Sequence, residues 1–322
     1  MLPLPSRRQF LTALPPAVAG LFLSQCSTPP PPPTVTETEP NFDRGRYQGR
    51  LGWNTVFRGE TRFQELCDQA QRGHWASLPL GERTATVGKA LLGTPYGNYT
   101  LEIDDHIEAP SVNLNELDCW TFYETSLAFS RMIRSSPAPW TGQDMLHYVE
   151  LERYRNGHCD GTYLSRMHHL EEVFANNEHR GLGRNMTRSL GGVPMHRNIH
   201  EMQVAWRSYR YLVHNPEYRS GIARVEARVS SMPVTYVPKH RVAGIESELQ
   251  DGDVLAIACG DSSGYTSHVG MALRQGSTCH FMHATSSYDK GRRCIVDARI
   301  SHYLAERSDH IGLIVFRPYD VA

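Results

Sequence analysis

The chain has no surplus of either charge: 33 Lys and Arg face 34 Asp and Glu, a formal net charge of −1. Without a basic excess there is no electrostatic footprint for nucleic acid, so no partner of that class is expected. The sequence also lacks a CxxC pair, which argues against thioredoxin-like redox chemistry and zinc ribbons. It has no internal repeat, so a solenoid or propeller is not expected. Apart from a short stretch near the start, no apolar run approaches the length of a membrane-spanning helix. Cysteine is scarce: Cys26, Cys67, Cys119, Cys159, Cys259, Cys279 and Cys294 make seven.

What is present at the start reads as an address. Ser6-Arg-Arg-Gln-Phe-Leu11 fits a twin-arginine export pattern, followed by the short apolar stretch Leu14 to Leu23 with Pro15 and Pro16 inside it. Leu23-Ser-Gln-Cys26 is similar to a bacterial lipobox, with Gln25 where Gly, Ala or Ser is usual. Residues 1–26 are therefore expected to be an export signal, with Cys26 as a lipidation site that tethers the protein to a membrane in the periplasm. Five prolines, Pro29 to Pro33, open a linker over 27–42 that is extended and too polar to build a core.

About 300 residues follow Cys26, enough for one large domain or two small ones. Helices are expected at Glu60 to Ala70, Leu78 to Leu92, Leu117 to Ile133, Thr141 to Leu151 and Met167 to Asn176. The last third changes character. Val254 to Ala258, His268 to Leu273, Cys279 to His283 and Gly312 to Phe316 are β-prone runs separated by Gly, Ser and Asp. Helices followed by an antiparallel meander indicate an α+β fold with a helix packed on a sheet. Residues 141–220 read as a helical and loop insertion. Within them, 181–220 has no clear assignment beyond a substrate-side insertion, and Arg184, Arg188, Arg197, Arg207 and Arg210 in it suit a solvated face.

Candidate chemistry centres on Asn115-Glu-Leu-Asp-Cys-Trp-Thr-Phe122. Cys119 falls in the first turn of the expected helix, where unpaired N–H groups and the positive dipole end favour thiolate over thiol. A lone cysteine there more often packs than reacts. A nucleophilic thiol needs a base, and the base needs a polar partner to hold its ring. His268 and His283, fifteen positions apart on adjacent expected strands, are suitably placed. Sixteen histidines make chance pairing a serious competitor. Cys279 and Cys294 flank a hairpin and could form a disulfide in an oxidising compartment; free buried thiols are the alternative. His196-Arg-Asn-Ile-His200 offers two imidazoles at i, i+4 but lacks the Glu of HExxH, so no metal site is assigned.

Asp118-Cys-Trp-Thr-Phe122, Asp251-Gly-Asp-Val254, Ser267-His-Val-Gly270 and Phe281-Met-His-Ala284 resemble the catalytic segments of NlpC-type cell-wall hydrolases, which are papain-like cysteine peptidases and amidases. More narrowly, Gly93-Thr-Pro-Tyr96, Thr121-Phe-Tyr-Glu124, Arg153-Tyr-Arg-Asn-Gly157 with Asp160-Gly161, Ser165-Arg-Met-His168 and Val237-Pro-Lys239 resemble the N-acetylmuramoyl-L-alanine amidase-like branch. The similarity runs from about Arg62 to Pro318. It implies a papain-like domain over 43–322 and peptidoglycan or muropeptide as substrate, with no cofactor. Cys119 would be the nucleophile, His268 the base and then acid, and His283 the residue that orients it. Tyr96, Asp118, Ser267 and Arg166 would face the oxyanion or substrate, with a packed aromatic for Tyr96, a helix cap for Asp118 and an ion pair for Arg166 as the plainer readings. Trp120 and Tyr123 are bulkier than the resemblance leads one to expect, and Thr285 looks inserted. Cleavage between D-Glu and the diamino acid of the stem peptide is the alternative reaction. A non-catalytic or metal-binding envelope lipoprotein is the alternative class.

Overall fold

The computed structural model describes residues 51–260 and 266–321. The expected export signal, the expected linker and Cys26 lie outside them. The main helices are α1 (Glu60–Arg72), α2 (Leu80–Ala90), α3 (Cys119–Ser135), α4 (Gly142–Arg153), α5 (Leu170–His179), α6 (Arg219–Ser231), α7 (Lys239–Ile245) and α8 (Ile300–Ala305). Each of the five helices expected from periodicity is present, with ends shifted by up to three residues.

Apart from a short parallel pair, Phe57–Arg58 with Val112–Asn113, the strands are β1 (Gly183–Asn185), β2 (Val193–Met195), β3 (Val234–Pro238), β4 (Val254–Cys259), β5 (Thr266–Gln275), β6 (Thr278–Ala284), β7 (Cys294–Arg299) and β8 (His310–Pro318). They form one antiparallel sheet in the order β2-β3-β8-β4-β5-β6-β7, with β1 also paired on β8. The meander holds from β4 to β7 and then breaks. α8 carries the chain back, and β8 enters between β3 and β4. The reason lies in its composition: Leu313, Ile314, Val315 and Phe316 are all buried, and a run apolar on both faces needs a central position. β1 and β2 come from the stretch that sequence left unassigned, so part of the expected insertion extends the main sheet.

Two layers cover the sheet. On one face Val269, Met271, Met282 and Ala284 pack in a cluster with Phe122, Phe129 and Met132 of α3. On the other, Leu255, Ile257, Phe281 and Val315 pack with Val242 and Ile245 of α7 and Leu304 of α8. Alternation along each strand sorts side chains between these layers. The same alternation rules out the suggested disulfide. Cys279 and Cys294 are both free, Cys279 packing with Phe281 in the α7/α8 layer and Cys294, opposite Ala284, in the α3 layer.

α3 is buried on every side from Trp120 to Ile133, including Glu124 and Arg131. A helix so enclosed must have its charges paired. Arg153 of α4 donates from Nε to Glu124 at 3.1 Å and from its two terminal nitrogens to Ser111 at 3.0 and 2.9 Å. Arg131 is paired with Glu152. These bonds fix the rotation and depth of the helix whose first residue is Cys119.

Candidate active site

Asp118 sets where α3 begins. Its Oδ1 accepts the Thr121 N–H at 2.7 Å, while Thr121 Oγ1 accepts the Asp118 N–H at 3.0 Å, a reciprocal capping box. Cys119 is therefore the first helical residue, at the positive end of the dipole and only partly buried. It lines a cavity with Tyr96, Asp118, Arg166, Ser267 and His268. The chain thus brings to one cavity most of the residues singled out from sequence, and His283 lies directly behind His268. Burial pushes the Cys67, Cys159, Cys279 and Cys294 thiols up to about 12, which keeps them protonated.

The two histidines are bonded to each other. His268 Nε2 lies 2.7 Å from His283 Nδ1, and His283 Nε2 lies 3.1 Å from Asp297 Oδ2. Lys290 Nζ donates to the same carboxylate oxygen at 2.6 Å. An ionised carboxylate only accepts, so His283 must carry its proton on Nε2 and present Nδ1 as an acceptor. His268 then donates through Nε2–H to His283 Nδ1. Burial pushes the His283 imidazole below its ordinary value, with Asp297 opposing that shift. Burial alone would raise the Asp297 carboxyl; bonds from His283, Lys290 and the Ala298 N–H hold it well below the usual carboxylate range.

Gly270 makes room for this pair. A Cβ at Gly270 would sit 2.6 Å from the Met282 carbonyl oxygen, 2.7 Å from the Phe281 ring and 2.8 Å from His283 Cβ. Phe281 stacks on His283 with ring centroids 4.5 Å apart, and Tyr303 sits edge-on to His283 at 5.3 Å while also contacting Phe281 at 4.7 Å. The Ser267-His-Val-Gly270 text is thus one packing unit.

The remaining positions divide. Tyr96 lines the cavity and is tied by its N–H to the Arg292 carbonyl at 2.8 Å. Ser267 also lines it, with Oγ 2.8 Å from Cys259 Sγ. Asp118 reaches the cavity but is committed to the helix cap. Arg166 reaches it too, yet is only 3% exposed and already faces Glu108 at 3.4 Å and Glu102 at 3.6 Å. Trp120 lines the cavity while Tyr123 points into the core, so of the two bulky departures only Trp120 shapes the pocket. The Thr285 N–H bonds the Arg293 carbonyl at 3.0 Å and continues the hairpin past the end of β6.

Sequence reading missed Asp297 and Lys290, for which no local signal exists, because both act through contacts across strands. It also missed the wall built by Glu201, Met202, Ser208 and Tyr209, where Tyr209 donates to Glu201 at 2.5 Å. His196 and His200 do not share a helix: they fall between β2 and a four-residue helix, Glu201–Val204. Cys259, Asp309 and His310 bring ligand atoms within 4.8 Å of one another. Asp309, however, is held by Arg307 through two bonds of 2.9 and 2.7 Å, so this donor set is already neutralised.

A family model described as N-acetylmuramoyl-L-alanine amidase-like, or AmiA-like, matches residues 86–312. No curated protein matches the chain. A crystal structure of an N-acetylmuramoyl-L-alanine amidase from Bacteroides uniformis is similar at 25% identity and TM-score 0.67, covering 74% of this chain and 99% of that one. A Bacteroides fragilis protein provisionally described as a xylanase is similar at 28% identity and TM-score 0.63, covering 72% and 99%. A Legionella pneumophila protein, at 16% identity and TM-score 0.58 over 81% and 97%, shares the fold.

Proposed function

Because this chain belongs to the N-acetylmuramoyl-L-alanine amidase-like family of peptidoglycan hydrolases, we propose that it cleaves the amide between the muramyl lactyl group and L-alanine by a cysteine mechanism. His268 takes the thiol proton, and the Cys119 thiolate attacks the lactyl carbonyl. Backbone N–H groups at the start of α3 and the Tyr96 hydroxyl stabilise the oxyanion. His268 returns the proton to the L-Ala nitrogen as the C–N bond breaks, leaving an acyl thioester on Cys119. Water activated by His268 hydrolyses the thioester, releasing the lactyl carboxylate and restoring the thiol. The observation that carries this reading is the chain His268–His283–Asp297, bonded at 2.7 and 3.1 Å beside a cavity that also holds Cys119. That orienting chain is the feature that distinguishes a base from a packed histidine. It also favours placing the fold among papain-like, NlpC-type hydrolases. The amino-terminal pattern supports export to the periplasm and anchoring through acylated Cys26.

The test is mass spectrometry of a disaccharide tetrapeptide after incubation with the mature domain, beside Cys119→Ala. Free disaccharide and intact tetrapeptide from the wild type alone is the expected result. L-Ala-D-Glu still attached to the sugar would move the cut into the stem peptide, and turnover by Cys119→Ala would overturn the cysteine mechanism.

A further inference from the structure

Tyr288 is the most exposed of the large hydrophobic side chains described, at 72%, yet it is held in place. The Gly291 N–H bonds the Tyr288 carbonyl and the Arg292 N–H bonds the Ser287 carbonyl, both at 3.0 Å, which closes the loop between β6 and β7. The Arg292 guanidinium lies 5.0 Å from the Tyr288 ring centre and 5.5 Å from that of Tyr96, so one cation bridges two aromatic rings. Arg292 adopts a left-handed backbone (φ 47°), and so does Tyr99 (φ 57°), an exposed cavity-lining tyrosine. Non-glycine residues held there are strained, and such strain persists where surrounding contacts fix it. Ser286 and Tyr96 belong to the cavity lining, so this rim is continuous with the groove that contains Cys119.

We infer that the Tyr96–Arg292–Tyr288 stack is a saccharide subsite, in which the outward face of Tyr288 packs on the C–H face of a pyranose ring of the substrate. This rests on the amidase reading, under which the acyl half of the substrate carries a sugar and the amine half a peptide. The two ends of the groove differ in the way those halves differ. Towards Glu102, Arg166 and Glu201 the wall is buried and charged, which suits the polar ends of a peptide. The Tyr288 rim is aromatic and exposed, which suits a flat ring with apolar faces and hydroxyl edges. Arg292 adds N–H donors beside the platform for hydroxyl or N-acetyl oxygens, one of them already directed to the Ser286 carbonyl at 3.3 Å. A ring fixed in advance loses little freedom on binding, which is what a weak stacking contact needs to register as affinity.

The test compares two substrates that differ only in the sugar: the disaccharide tetrapeptide and an N-lactyl tetrapeptide. Tyr288→Ala is expected to lower kcat/KM about fivefold more for the first than for the second, mostly through KM, and Tyr288→Phe to restore it. An equal effect on both substrates, or none on the disaccharide substrate, would overturn the inference. Failure of the wild type to cleave either amide would instead remove the amidase reading. In that case saturation-transfer NMR of the free disaccharide on Cys119→Ala protein decides. Transfer to pyranose C–H protons that disappears with the added Tyr288→Ala supports the subsite, and transfer that survives it, or is absent in both proteins, overturns it.

Discussion

Replacing Asp297 by Asn tests whether the carboxylate behind His283 contributes to the chemistry or only to packing. The variant keeps the shape and an acceptor oxygen but removes the charge. A hydrogen bond to a charged group contributes about 1.5–3 kcal/mol and a neutral one about 0.5–1.5 kcal/mol, so roughly 1.4 kcal/mol of imidazolium stabilisation is lost. That corresponds to about a tenfold fall in kcat. KM should change little, because Asp297 stands behind His283 and away from the cavity lining. Without the neighbouring anion the imidazolium is a stronger acid, so the basic limb of the pH–rate profile should move to lower pH. Lys290→Met supplies the opposite perturbation. The Lys290 charge works against protonation of His283, and its removal should move the same limb upward while the carboxylate stays ionised. Initial rates of muropeptide cleavage across pH give both results. Unchanged kcat and superimposable profiles for the two variants would refute the reasoning; a fall in kcat with no movement of either limb would reduce Asp297 to a packing residue.

Other consequences follow from the same geometry. Gly270→Ala should destabilise the fold by about 1–3 kcal/mol, since its Cβ meets backbone and the base of His283; an unchanged urea midpoint would show that the strands can separate there at no cost. Arg153→Met leaves the buried Glu124 carboxylate without its cation and should cost about 3–5 kcal/mol, read from chemical denaturation. Cys119→Ala should abolish turnover while Tm changes little, because the side chain is partly exposed and the cap belongs to Asp118. Acidification should lower Tm in two stages. Folded His283 binds its proton less readily than the unfolded chain, so stability present above about pH 6.5 is lost as pH falls below that value. Asp297, depressed in the fold, adds a further loss below about pH 4. A Tm that stays flat from neutrality to about pH 3 would contradict both shifts.

The sequence determined a good deal by itself. Local periodicity marked α1 to α5 and the strands β4, β5, β6 and β8, because period and β-propensity are properties of a few neighbouring residues. Asp118 and Thr121, three positions apart, announce the start of α3 and so the place of Cys119. The hairpin spacing of His268 and His283 was legible for the same reason. Contacts between distant segments were not. The carboxylate that sets the tautomer of His283 comes from β7, the cation that holds it comes from the preceding loop, and the far wall of the groove comes from residues near 201–209. None of these carries a local signature, since an exposed Asp and one bonded behind a histidine look alike until the strands pair. The place of β8 in the sheet, and the separation of Cys279 from Cys294, were likewise decided by which face each residue buries once the sheet forms. Sequence determined the candidate thiol and histidines and their local supports. Tertiary structure decided which charges stand behind them, because hydrogen bonds across a sheet depend on register, and register is fixed only when both faces have found their cores.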